Sequence, residues 1–229
     1  MEELICLFIC ISTIILFKVI FKINIKKVKA LDEDKEKQKI TDKIPENIEI
    51  AKEMLEMLDN KDVTIEQAKD TKTSLYIAVT NKISIADMKD NYARIQTIAH
   101  ECLHSVQDRR LLLFNFIFSN FSIIYFIIIT ILSICNVVKN SMLQIFILTI
   151  IAFIQFAVRG FLEIEAMTKA KYLAKEYMEK KNLCTQNEIE ELIKEYGKIN
   201  KIGIPFIIDN LITSSLIRIC VYILITIII

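Results

Sequence analysis

The chain alternates between long runs of Ile, Leu and Phe and blocks dense in Lys and Glu. Four runs are long and apolar: 4–21, 111–135, 141–158 and 204–229. A bilayer core of ~30 Å takes ~20 helical residues, so each run reads as a membrane span. The second contains no charge at all, and the third follows it after the short loop 136–140. Lys18 sits near the end of the first, where its ammonium can snorkel to the interface. Asp209 and Arg218 interrupt the fourth. The first run reads as a retained anchor rather than a cleaved leader. Its flank is Glu2 and Glu3 instead of basic residues, and no small-x-small cleavage site follows.

Basic residues orient the spans. Lys22, Lys26, Lys27 and Lys29 follow the first, Arg109 and Arg110 precede the second, Arg159 ends the third, and Lys198 and Lys201 precede the fourth. Only Lys139 lies on the other side. The positive-inside rule then puts both termini outside and the polar regions 22–110 and 159–203 in the cytoplasm of a cell-membrane protein. The expected plan is an anchor with basic flank (1–29), a cytoplasmic portion (30–110), a transmembrane hairpin (111–158), cytoplasmic helices (159–203) and a last span (204–229).

Within 30–110 a charged linker at 32–39 leads to a helix at 46–58, with Pro45 at its start and Ile48, Ala51, Leu55 and Leu58 on one face. Segments 63–65 and 75–80 read as short strands, the second with Leu75, Ile77 and Val79 alternating with Tyr76 and Ala78. A helix capped by Asp90 or Asn91 runs through His104 towards Arg110, with continuation into the second span open. Segment 161–181 has helical period. A further helix, 186–196, follows Thr185 with Glu188 three residues on, a capping box. The fold class expected is a mainly α membrane protein with about four transmembrane helices and a small α+β cytoplasmic portion.

Composition narrows the function. Hydrophobic residues make up 53% of the chain, with only three Gly and two Pro, which excludes an ordinary soluble domain. A formal net charge of +1 and the lack of interleaved aromatic and basic residues exclude a nucleic-acid partner. The six cysteines are scattered, form no CxxC, and lie mostly in apolar stretches, so they read as small apolar fillers.

The chemistry is carried by His100-Glu101-Cys102-Leu103-His104, an HExxH. On a helix, residues i and i+4 share a face, so both imidazoles reach one ion at ~2.0–2.1 Å. Glu101 is rotated off that face and suits a general base. The chain owns two histidines and both fall in the motif, which makes chance a poor explanation. The implied ion is Zn2+, with His100 and His104 as ligands. A third ligand must return to the same membrane face, and the hairpin brings Glu163 and Glu165 back near it. Glu163 shares a face with Ala166, Ala170 and Ala174, a stripe that permits close helix packing. Glu165 has Lys169 four residues on, a solvated pair. Glu163 is the favoured ligand, with Glu165 as its competitor.

With these residues in place the chain resembles the neutral zinc metallopeptidases of bacterial membranes, the YugP-like family, from about Pro45 onward. The matching positions are His100, Glu101 and His104, then Glu163 with Ala166 and Ala170; Gln107 and Arg218 are also similar. The resemblance implies a zincin-like portion around the HExxH helix and peptidase activity. More distantly the chain is similar to HExxH membrane endopeptidases. Leu103 stands where glycine is usual, and Met167 where the distant relatives carry aspartate.

Other residues carry less. Cys102 has no further histidine to activate it. Asp108 is either a partner for His104 or a solvated neighbour of Arg109 and Arg110. Asp209 and Arg218, nine residues apart, lie on opposite helix faces and should not pair. Segment 75–80 offers a sheet edge to an extended peptide. Arg159 and Tyr172 are candidate oxyanion donors. The leading expectation is an endopeptidase with peptide or membrane-protein substrates and the lipid bilayer as partners. The alternatives are a non-catalytic zinc-binding adaptor and a small transporter using Asp209 and Arg218.

Overall fold

The computed structural model describes residues 1–22, 35–68, 73–88 and 91–229. In chain order the elements are α1 (Glu2–Phe21), α2 (Lys35–Thr41), α3 (Asn47–Met57), β1 (Thr64–Gln67), β2 (Leu75–Ile77), β3 (Lys82–Ile85), α4 (Arg94–Val106), α5 (Arg109–Ile134), α6 (Ser141–Lys181) and α7 (Gln186–Ile228). The protein is mainly helical, with one small sheet. Helices α1, α5, α6 and α7 are long and apolar enough to cross a membrane, and each covers one of the four apolar runs to within a residue.

Two of these helices are longer than the sequence pattern indicates. Segments 141–158 and 161–181 form one helix of 41 residues, and 186–196 and 204–229 fuse into one of 43. Nothing in α6 ends it, since Gly160 lowers helix propensity without breaking the hydrogen-bond ladder. Pro205 lies inside α7 and removes a single donor, at a cost of ~3 kcal/mol that the intact ladder on either side outweighs.

The chain divides into two compact units, 1–23 with 114–161 and 205–229, and 24–113 with 162–204. The first unit is apolar. Ile129, Ile145, Leu148, Ile219, Tyr222 and Ile223 form its core, while Phe8, Ile117 and Phe153 stand exposed. A surface of that kind suits hydrocarbon rather than water. Several of its polar side chains pair with one another across helices. Ser133 Oγ donates to Tyr222 Oη at 3.1 Å, and Tyr125 Oη donates to Gln144 Oε1 at 2.6 Å. Asp209 is buried and lies 3.6 Å from Lys18 Nζ, so Lys18 forms an ion pair. Arg218 donates to Ser122, Gln155 and Ser215 at 3.3–3.4 Å. Among the described residues it forms no ion pair with Asp209, as expected for positions nine apart.

The second unit buries Ile50 and Met54 of α3, Ile83 and Ile85 of β3, Ile95, Ile98 and Ala99 of α4, the alanines of α6, and Leu192 and Tyr196 of α7. The face of α3 that packs inward is Asn47, Ile50, Ala51, Met54 and Leu55, whereas Ile48 is only half-buried, which rotates the expected face. Pro45 precedes the N-cap Glu46 rather than starting the helix. Of the expected charged linker, 32–34 lie outside the described residues, and the rest joins α2.

The sheet has order β1-β3-β2, with β1 parallel and β2 antiparallel to β3. The expected strand 75–80 is two structures. Backbone pairing stops at Ile77, the chain turns through 78–81 with Asn81 at φ 50°, and β3 returns with Ile83 and Ile85 fully buried. Asn tolerates the left-handed region, which makes it the pivot of the hairpin.

Helix α4 begins at Arg94. Asn91 Oδ1 accepts the Ala93 N–H at 2.7 Å and caps the turn that leads in, while Asp90 lies outside the described residues. The Arg94 guanidinium is buried and donates to the carbonyls of Thr41, Ile44 and Pro45 and to Asn47 Oδ1, at 2.6–2.9 Å. At the other end α4 does not continue into the span. Gln107 is extended (φ −69°, ψ 164°), and Asp108 Oδ1 accepts the Arg110 N–H at 2.8 Å, an N-cap for α5.

Candidate metal centre

The HExxH spacing places His100 and His104 one turn apart on α4, and the alanine stripe of α6 brings Glu163 to them. Ala166, Ala170 and Ala174 are all but fully buried, and Glu163 emerges one turn before the first of them. His100 Nε2 and His104 Nε2 are 3.1 Å apart, and Glu163 Oε2 lies 3.5 Å from the first and 3.8 Å from the second. A point equidistant from the corners of such a triangle is about 2.0 Å from each, the bond length of a divalent ion to imidazole or carboxylate. The three groups therefore make a set that could hold a metal ion.

Hydrogen bonding behind the histidines tests that fit. Gln107 Nε2 donates to the Leu162 carbonyl and to Glu165 Oε2, both at 2.9 Å. Neither partner can donate, so the amide orientation is fixed and Gln107 Oε1 faces His104 Nδ1 at 2.7 Å. Nδ1 must carry the proton. In the neutral ring, Nε2 then presents its lone pair to His100 and to a carboxylate. Lone pairs and a carboxylate aimed at one point repel unless a cation lies between them, and the donor set suits one.

The electrostatics agree with a shared cation. Burial raises the Glu163 carboxyl, but hydrogen bonding to both imidazoles outweighs it and holds the group well below the usual carboxylate range. Burial lowers His104, but its contact with Glu163 and the charge of Glu101 outweigh that and raise it.

Glu101 is 7% exposed, and its Oε2 accepts the Tyr76 N–H of β2 at 2.7 Å. Burial pushes its carboxyl up, against the pull of His100 and His104. It lies beside the triad without being one of its corners.

Glu165 lies outside the group of side chains that could hold an ion. It receives Lys169 at 2.6 Å and Gln107 at 2.9 Å, and serves to hold Gln107 in place. Asp108 caps α5 and leaves the contact to His104 to Gln107. Cys102 is fully buried against the Ala51 carbonyl, and burial raises its thiol far out of the reactive range. Leu103 packs into the core. Tyr172 is exposed, nine residues and thus two and a half turns from Glu163, on the opposite face of α6.

No protein-family model, curated protein or solved structure matches this chain. The sequence reading missed two of its members. Gln107 entered only through the family resemblance, and the Tyr76 N–H depends on a sheet position that no side-chain pattern encodes.

Proposed function

We propose that the protein is a multi-pass membrane zinc metallopeptidase with a zincin-like portion, hydrolysing peptide bonds at the cytoplasmic surface of the cell membrane. The observation that carries the reading is the convergence of His100 Nε2, His104 Nε2 and Glu163 Oε2 on one point, beside the enclosed carboxylate of Glu101. His100, His104 and Glu163 hold the ion. When bound, zinc supplies a Lewis acid that acidifies water and polarises a carbonyl. Glu101 takes a proton from the attacking water and delivers it to the leaving amine, and the upward push of burial on its carboxyl is the direction a base working near neutral pH needs. Gln107 keeps the His104 lone pair on the ion side. Segment 75–77 is the edge of the sheet nearest Glu101, and an extended peptide pairing there would take over the Tyr76 N–H that Glu101 now holds.

The test uses purified full-length protein in detergent. About one zinc per chain, cleavage of an unstructured casein substrate, and a Glu101→Gln variant that keeps zinc but cleaves roughly 10²–10⁴-fold more slowly support the reading. Zinc at full occupancy with no cleavage points instead to a zinc-binding adaptor, for which the engagement of Glu101 by the Tyr76 N–H is the favouring observation. A protein without zinc overturns both.

A further inference from the structure

A glutamine on α4, Gln96, lies one turn before His100, and its amide oxygen could do for His100 what that of Gln107, just past the end of α4, does for His104. His100 Nδ1 is buried and without a hydrogen-bond partner, as is Gln96 Oε1. Both lie on α4, four residues apart and therefore on one face. Side chains on a helix lean towards its N-terminus, so the His100 ring is directed over the turn that carries Gln96.

The orientation of Gln96 is fixed by its neighbours. The Met167 carbonyl can only accept, and it receives Asn200 Nδ2 at 2.8 Å. Asn200 Oδ1 therefore faces Gln96 and accepts its Nε2 at 2.6 Å. The remaining arm of the amide is an acceptor, Oε1, with nothing donating to it. If His100 uses Nε2 towards an ion, its Nδ1 carries a proton that needs an acceptor. The two deficits are complementary, and buried polar groups are seldom left unpaired.

We infer that Gln96 is a positioning residue for the metal centre: its Oε1 accepts the Nδ1–H of His100, directly or through one water, and so turns the Nε2 lone pair of His100 onto the ion. The inference rests on the metal-site reading above. It makes the two histidines symmetric, each steered by a glutamine carbonyl, with Asn200 of α7 holding Gln96 as Glu165 of α6 holds Gln107.

The experiment measures zinc affinity by chelator competition on full-length wild type, Gln96→Met and Gln96→Glu. It adds 15N-histidine NMR of the zinc-loaded forms, which is simple to assign because the chain has two histidines. Gln96→Met should weaken zinc binding roughly 10- to 100-fold, with the Nδ1–H signal of His100 lost to exchange with water. Gln96→Glu keeps an acceptor and should restore both affinity and signal. If Gln96→Met fails to fold, the wild-type and Gln96→Glu spectra still decide, because a protected Nδ1–H is required in each. Wild type that binds zinc while Gln96→Met binds it equally well, or while His100 shows no protected Nδ1–H, overturns the inference and leaves the metal site standing. Wild type that binds no zinc overturns both.

Discussion

Glu163 and Glu165 lie two residues apart on one helix and do different work, because a helix turns them ~200° away from each other. Glu163→Ala removes a corner of the triad and should abolish stoichiometric zinc binding. Glu165→Ala should keep the zinc and weaken it by about tenfold, since Gln107 loses one of its two anchors and steers His104 less firmly. Metal analysis of the two variants checks this, and equal loss in both would put the third ligand in doubt. The same contacts set a pH dependence. His104 is raised, so its contact with Glu163 stabilises the metal-free protein fully below its ordinary value of about 6.5 and fades as pH rises through the raised value. Glu163 is depressed, so its share is complete above the ordinary carboxylate value of about 4.3 and is lost as pH falls towards the depressed one. The melting temperature of metal-free protein should therefore peak between about pH 4.5 and 6.5, whereas zinc, which displaces the shared proton, should bind more tightly as pH rises above that window. A melting temperature flat with pH in chelator would remove the His104–Glu163 contact from the account. That His100 and His104 come together was legible from spacing alone, because a helix puts i and i+4 on one face. Gln107 was not, because it reaches His104 only through the break in helix that follows Val106.

That break is an element-scale feature, and so is the anchoring of the other end of α4. Arg94 ties α4 to α2, to α3 and to the loop between them with donors to four acceptors, three of them main-chain carbonyls. Replacing it with Leu takes the Arg94 donor from the Ile44 and Pro45 carbonyls and Asn47 Oδ1, while the Thr41 carbonyl keeps the Ile44 N–H at 3.0 Å, and the loss should destabilise the protein by about 3 kcal/mol. Arg94→Lys, a point charge without the planar fork, should recover only part of the loss. Chemical denaturation of the detergent-solubilised variants measures both, and a leucine variant as stable as wild type would show the anchoring to be dispensable. Elements with strong period were readable: α3, α4 and all four apolar helices appear where the hydrophobic pattern puts them. The strand read at 75–80 runs three residues past β2 because the segment alternates without a Gly or Pro to mark the turn, and β3 (Lys82–Ile85), which follows the turn at Asn81, was not read at all. The fusions in α6 and α7 were missed for the opposite reason. Gly197, Gly203 and Pro205 look like punctuation, yet none of them ends the helix.

For the whole molecule, the reading makes a claim about sides that the apolar helices alone do not settle. Four of them are long and apolar enough to cross, but length gives only candidate crossings, and the distribution of Lys and Arg must choose the direction. Lys139 sits in the loop between α5 and α6, with no other basic residue near it, whereas Lys61 and Glu190 belong to the unit that carries the triad. In a chain cleared of its six native cysteines, single substitutions Lys61→Cys, Lys139→Cys and Glu190→Cys at these exposed positions report the sides directly. An impermeant maleimide applied to intact cells should label position 139 alone, and positions 61 and 190 only after permeabilisation. The inverse pattern would keep four spans and move the proposed hydrolase to the outer face, where its substrates would be different proteins. Equal labelling of 139 and 190 from one side would mean that the apolar part of α6 does not cross. Glu163 would then have reached His100 and His104 without a transmembrane hairpin, and the spans could no longer be part of how the site is built.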